Sequence, residues 1–300
     1  MSLQFDSPVC DHYFALRCVP ADDELQKIMI TNQYVSPADC INEVTDGFGN
    51  RKYVGYCMKN HSEFAYAVEG TAVVEGMKVR HEELHPMYKY PSKYTQVGES
   101  LRRLIVSAGW MDRRMQGTAE AKAETACVNA GGKGGTNLEL AIGVMQYLYE
   151  HFTYESGVTD IYTTAEEACA LGSGVCQDYA HIMIAVLRFL GVPARYVNGM
   201  MIGEGRTHAW VEVYTGDGWY GLDPTNNLHV DDYYIKLAHG RDYQDCVLDK
   251  GRFLGCAGQH QEIYVNVKEE ETLGNDNNNC FDGAAGGRTS GDQKEPDHTA

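Results

Sequence analysis

A chain of 300 residues, 43% of them hydrophobic, is long enough to bury a sizeable core and suggests two domains. Its formal charge of −17 speaks against nucleic acid as a partner, which would need a basic patch, and implies solubility and a bias against acidic substrates. No apolar run approaches the ~20 residues that span a bilayer, and residues 1–6 lack the basic and apolar regions of a signal peptide, so no membrane partner and a cytoplasmic location are expected.

The ten cysteines form no C-x-x-C pair and no regular framework, which in a chain without a secretory signal points to reduced thiols. Cys246, Cys256 and His260 would make an unusual zinc site, since the C-x2–4-C spacing is missing, and no metal is expected. Residues 1–80 carry β-prone runs at 12–18, 24–35, 53–58 and 64–79, with Asp46-Gly47 and Gly49-Asn50 as turn signals. A small N-terminal β-sandwich domain with a structural role is the economical reading. Residues 81–135 read as a connector with one helix. His81 and His85 stand i, i+4, but Pro86 and Pro91 stop a helix there and no third ligand is near, so a solvated linker is expected. Leu101, Leu104 and Ile105 share one face of a helix over 99–111. The run Asn-Ala-Gly-Gly-Lys-Gly-Gly at 129–135 lacks the G-x-x-x-x-G-K-[ST] pattern of a phosphate loop and reads as flexible.

Residues 136–272 read as the catalytic domain. Thr136 or Asn137 caps a helix over 138–152 with Leu140, Val144, Tyr147 and Leu148 as its buried stripe. Thr164 and Glu167 fit a capping box at the start of a short helix that contains Cys169, a structural thiol. Gly172-Ser173-Gly174-Val175-Cys176 then delivers one cysteine to the start of a helix over 177–190 that is apolar nearly all round. A helix N-terminus favours a thiolate, which is the nucleophilic form. The rival reading, a buried thiol among ten, loses ground to the histidine and the carboxylate of the next fifty residues. His181 falls inside the buried helix, more than a turn from Cys176, and reads as a satisfied core histidine. After an extended run over 194–202, Thr207-His208-Ala209-Trp210-Val211-Glu212-Val213-Tyr214 and Trp219-Tyr220-Gly221-Leu222-Asp223-Pro224-Thr225 flank the turn Thr215-Gly216-Asp217-Gly218 as a hairpin. Pairing Tyr214 with Trp219 sets Val213 against Tyr220 and Val211 against Leu222. That register puts His208 and Asp223 on the other face as diagonal neighbours, within side-chain reach. A cysteine, a base and a group to orient the base are what nucleophilic catalysis requires. Further strands are expected at 233–238 and 262–268, giving an α+β fold, and residues 273–300 read as a disordered tail.

These stretches resemble, in the family's order, the three motifs of the transglutaminase-like superfamily: Gly174-Val175-Cys176 before a helix, Thr207 through Val213, and Leu222-Asp223-Pro224-Thr225-Asn226. Gly240-Arg241-Asp242-Tyr243 and residues 254–267 resemble the tail of its bacterial branch, and Asp46-Gly47-Phe48-Gly49-Asn50 is similar to that branch's N-terminal β domain. The resemblance spans most of residues 1–270. It implies a papain-like core, a buried helix against an antiparallel sheet, preceded by a small β-sandwich, with Cys176, His208 and Asp223 as a Cys-His-Asp triad. Bacterial relatives described as cysteine proteases imply hydrolysis of a peptide or protein amide without any cofactor. A protein-glutamine transglutaminase, or a non-catalytic binding protein on the same fold, is the alternative. The backbone amide of Cys176 is the expected oxyanion donor, with Tyr162 and Gln177 open as a second. Trp210 and Trp219, with Glu204, Glu212 and Asp217 as an acidic rim, are the residues that would wall an amine channel, though an ordinary strand face and a solvated turn would show the same residues and are the favoured reading.

Overall fold

Five antiparallel strands open the chain: β1 (Ser2–Leu16), β2 (Gln26–Ser36), β3 (Cys40–Thr45), β4 (Arg51–Cys57) and β5 (His61–Val74). The computed structural model describes residues 1–111 and 137–270; the expected loop at 129–135, the Thr136 cap and the tail at 273–300 lie outside the described residues. Leu3, Phe5, Val9, Phe14 and Leu16 are buried along β1. That strand serves two layers. Its first residues pair with β5 and its last with β4, with a register break between Gln4 and Val9. Side chains of both layers meet in one core, where the rings of Phe14 and Phe64 lie 4.9 Å apart.

The rest of the chain supplies β6 (Arg80–His81), α1 (Glu99–Ser107), α2 (Asn137–His151), β7 (Thr153–Tyr154), α3 (Ala165–Leu171), β8 (Ser173–Gly174), α4 (Cys176–Phe189) and β9 (Ala194–Met201). Then come β10 (Gly203–Gly205), β11 (His208–Tyr214), β12 (Gly218–Asp223), β13 (Leu228–His229), β14 (Tyr234–Gly240), β15 (Asp249–Leu254), β16 (Gln259–Glu262) and β17 (Val265–Val267). The second sheet runs β13-β12-β11-β9-β14 with β6 on β12, all antiparallel. Helix α4 is the centre of this half. Twelve of its fourteen residues are buried, between β9 and β11 on one side and α1, α2 and α3 on the other. Burial of Ile182, Met183, Ile184, Val186 and Leu187 stabilises the fold by about 1.5–3 kcal/mol each. No helix among the described residues is long and apolar enough to cross a membrane.

Three expectations need correction. The strand expected at 262–268 is short, and β17 pairs with β10. Residues 249–261, assigned with the rest of 136–272 to the catalytic domain and not expected as strands, form β15 and most of β16 and pair with β1, so residues 1–80 do not complete the N-terminal sheet by themselves. Residues 1–268 accordingly form one compact unit. The connector is not a solvated linker either. Tyr88 and Tyr94 are each 2% exposed, Tyr88 packing edge-on against Trp219 and Tyr94 against His181. Buried Arg188 donates to Thr95 Oγ1 (3.0 Å), which holds the connector to α4.

The face of the second sheet turned away from α4 carries charge. Glu212, 3% exposed, accepts from Arg80, Arg195 and Lys236, which come from three other strands. Burial alone would raise the Glu212 carboxyl, but the three cations hold it well below the usual carboxylate range. Arg195 also bonds Glu82 and lies 4.2 Å from the Trp219 ring centroid. The N-terminal half docks here: the Gln26 side chain bonds both the N–H and the C=O of Lys236, and Asn50 does the same at His239. Glu212→Gln should leave Lys236 without its counter-charge, and Arg80 and Arg195 with only Asp23 and Glu82, and lower stability by about 3–5 kcal/mol in denaturant melts. A loss below about 1 kcal/mol would show that the cluster is dispensable.

Candidate functional site

Two glycines shape the turn that presents Cys176. Gly172 ends α3 in the left-handed region (φ 75°), where its N–H bonds Ala168 O at 2.9 Å. A Cβ on Gly174 would lie 2.4 Å from Asp178 Oδ2, so only glycine fits. That oxygen accepts from the Val175 N–H (2.8 Å) and the Thr159 hydroxyl (2.7 Å). The carboxyl of Asp178 thereby fixes Val175 as the N-cap and sets Cys176 at the first position of α4. Cys176 is partly exposed, at the end of the helix where N–H groups have no intrahelical acceptors.

The hairpin has the expected register: Val211 opposes Leu222, Val213 opposes Tyr220 and Tyr214 opposes Trp219. Ala209, Val211 and Val213 join the core around α4. His208, at the first position of β11, donates from Nε2 to Asp223 Oδ2 at 2.7 Å. Cys176 lies close enough to act on the same ring, so the structure brings all three expected residues together. With Nε2 on Asp223, Nδ1 is the ring nitrogen left to serve sulfur. Burial pulls the imidazole down, but Asp223 and Cys176 outweigh that and raise it to about 10.

Asp223 is fully buried and surrounded by donors. Besides His208, Oδ2 accepts from Asn226 Nδ2 and the Tyr234 hydroxyl, each at 2.8 Å. Oδ1 accepts from the backbone N–H groups of Thr225 (2.9 Å) and Asn226 (3.3 Å). Burial would raise this carboxyl; the donors, His208 first, bring it below its ordinary value. Sequence reasoning assigned no role to Asn226 or Tyr234. Asn226 had a signal, three residues past Asp223 in the same motif. Tyr234 had none, because its reach to Asp223 depends on how β14 sits across the sheet.

Other candidates separate from the site. Burial pushes the Cys169 thiol up to about 11, in keeping with a structural role. His181 accepts the Tyr243 N–H at Nε2 (3.1 Å), and burial pushes it down to about 3. Among the described residues no three His, Cys, Asp or Glu side chains are grouped to hold a metal; Cys246 is buried and Cys256 exposed. His81 bonds Glu24, and His85 accepts from the Met87 N–H. The residues weighed as walls of an amine channel, with an ordinary strand face as the favoured reading, form none among the described residues. Trp210 and Trp219 are each 1% exposed, Trp219 against Arg195 and Tyr88, while Glu212 lies in the cation cluster instead of on a rim. Trp210 packs beside His208 and Tyr234. Of the two residues left open as a second oxyanion donor, Tyr162 is exposed, whereas Gln177 is nearly buried and its Nε2 has no partner among the described residues.

Residues 126–224 match the model of the transglutaminase-like superfamily, and residues 1–74 match that of the bacterial transglutaminase-like N-terminal region. An uncharacterised protein of Mycobacterium leprae is 28% identical over 88% of this chain and 94% of its own length. One from Mycobacterium tuberculosis is 44% identical over 33% of this chain and 36% of its own. A protein-glutamine gamma-glutamyltransferase of Pseudomonas aeruginosa is 41% identical over 66 residues, 18% of this chain and 10% of that protein. The crystal structure of a protein from Cytophaga hutchinsonii, provisionally described as a cysteine protease, shares the fold with a TM-score of 0.57 at 22% identity, over 91% of this chain and 90% of that one.

The Tyr234 hydroxyl can be tested through stability and its pH dependence. Tyr234→Phe removes a bond to a carboxylate and should cost about 1.5–3 kcal/mol at pH 7. Because Asp223 is held below its ordinary value, this stabilisation is present above the unfolded carboxylate range and is lost as pH falls through the folded value. Denaturation of wild type and variant should therefore converge in acid. A gap that is constant with pH would place the effect elsewhere.

Proposed function

The chain belongs to the transglutaminase-like superfamily, and on that premise we propose that it is a cysteine-dependent acyl-transfer enzyme that hydrolyses a peptide or other amide bond through Cys176, His208 and Asp223. The observation that carries this reading is the meeting of a helix-N-terminal thiol with a histidine whose other nitrogen is held by a buried carboxylate. Cys176 Sγ attacks the amide carbon, and His208 Nδ1 holds the thiol proton and delivers it to the leaving amine. The first-turn N–H groups of α4 face the developing oxyanion, and the Cys176 amide is the first of them. The amine departs and leaves a thioester. Water then gives a proton to His208, adds to the thioester carbonyl, and releases the acid as the proton returns to sulfur. Asp223 keeps Nε2 protonated and supports the imidazolium, and Tyr234 and Asn226 position Asp223.

An amine in place of water would make the same thioester a cross-linking intermediate. The similarity of one short segment to a protein-glutamine gamma-glutamyltransferase favours keeping that second reading. Against it stands the burial of Trp210 and Trp219: neither is exposed to shield an amine from water present at roughly 55 M.

Three measurements check the proposal. Cys176→Ala should lower turnover of a reactive amide by about a thousandfold or more, with losses in Cys176→Ala, His208→Ala and Asp223→Ala far from additive. Full activity in Cys176→Ala would remove the basis of the assignment. With a glutamine-containing peptide and excess lysine-like amine, mass spectrometry should find free acid as the main product, and a predominant amine adduct would turn the reading to cross-linking. His208, raised to about 10 in the folded state, contributes stability that is complete below its unfolded value, near 6.5, and fades as pH rises through the folded one. The stability gap between wild type and His208→Ala should thus shrink from pH 6.5 to pH 10.

A further inference from the structure

An open cleft of about 700 Å³ lies across the N-terminal sheet where β2, β5, β1 and β16 run side by side, lined by Tyr34, Tyr66, His260, Glu262, Tyr264 and Arg206. Tyr34 and Tyr264 are exposed, so the cleft has aromatic walls that a polypeptide could pack on. Arg206 is the lining residue that leads toward the site. It stands two residues before His208, in the turn between β10 and β11. Tyr154, on the other arm, pairs with Gly174, two residues before Cys176. The Tyr154 hydroxyl is raised by burial; Cys176 adds to the rise and Arg206 opposes it.

The charges around the cleft are unevenly engaged. Glu262 pairs with His260 at 3.5 Å, and Glu204 with Lys268 at 4.0 Å. Arg206 is exposed and makes no ion pair or hydrogen bond among the described residues. A guanidinium offers a fork of donors matched to a carboxylate. The overall charge of −17 does not decide the matter, because beyond about 8 Å at physiological salt the distant carboxylates are screened.

We propose that this cleft docks the acyl-donor substrate as an extended peptide, and that Arg206 binds a carboxylate on that peptide close to the scissile amide. The substrates of the enzyme are then acidic peptides, against the bias implied by net charge, and the N-terminal sheet is a docking surface as well as a support. This inference rests on Cys176 being the nucleophile, and two measurements separate it from that reading.

The first is binding, which needs no catalysis. In Cys176→Ala, a fluorescein-labelled peptide rich in Glu should bind several-fold more tightly by anisotropy than its Gln counterpart. Adding Arg206→Ala should erase the preference, and Arg206→Lys should keep part of it. The second compares alkylation of Cys176 by anionic iodoacetate and neutral iodoacetamide, read by peptide mass spectrometry with the other cysteines as internal reference. The iodoacetate-to-iodoacetamide rate ratio should fall about three- to tenfold in Arg206→Ala. Equal binding of the two peptides, or a ratio that Arg206→Ala leaves unmoved, overturns the proposal. A Cys176 no more reactive toward iodoacetamide than its neighbours would instead count against the nucleophile reading, while the binding arm still decides the cleft.

Discussion

The carboxylate of Glu212, buried among Arg80, Arg195 and Lys236, is the contact on which the geometry of the molecule turns. Its partners stand on β6, β9 and β14, and Glu212 itself on β11, so all four strands must be in place before the charges are satisfied. Taking these ions from water is costly, and a hydrophobic replacement of the whole cluster could be as stable. What the cluster secures is location. β11 begins at His208 and β14 begins at Tyr234, which grips Asp223. A slip of either strand would orphan a buried charge and at the same time pull apart the histidine and its carboxylate.

The hairpin was legible because two independent signals agreed on it. The Thr215–Gly218 turn fixed its length, and alternating valines fixed its buried face; together they aimed His208 and Asp223 at one place. Helix α4 was legible from its unbroken apolar character. The edges of the N-terminal sheet were not. β3 is mostly exposed and shows no alternation, while Gln259–Glu262 contains no apolar residue, so neither has a pattern to read. Both are strands only because β4 and β1 offer them a ladder. The connector misled for a related reason: its prolines and charges suggest solvent, but Tyr88 and Tyr94 use it to reach Trp219 and His181, partners distant in sequence. Glu212 misled too, since a glutamate on a strand gives no sign that three cations will gather behind it.

Asp223 illustrates how the site divides its labour. Both of its oxygens are occupied, Oδ2 by three donors and Oδ1 by two. A carboxylate so fully engaged has little capacity left to accept a proton. In the proposed chemistry it therefore acts by fixing the imidazole and balancing its charge, and proton movement is confined to the histidine nitrogen nearer sulfur. The thiol is held differently, by a turn whose Gly174 allows the Asp178 carboxyl to close over the start of the helix. The thiol and the imidazole are thus each held by a local device, and the packing of α4 against β11 joins the two.

The return of β15 and β16 to β1 ties the order of synthesis to the order of folding. Ser2 pairs with Glu262, so β1 has to wait for a strand made much later. At a translation rate of about 5–20 residues per second, that wait is on the order of ten to fifty seconds. In the interval β1 can pair with β5 and β4, but the stretches of its other edge that β15 and β16 will cover stay open, with backbone donors and acceptors unsatisfied. The nascent chain would be most vulnerable to mispairing with a neighbouring copy on the same polysome during this time. Its acidic character then has a use unrelated to the site, since like-charged nascent chains repel one another until the clasp on β1 is closed.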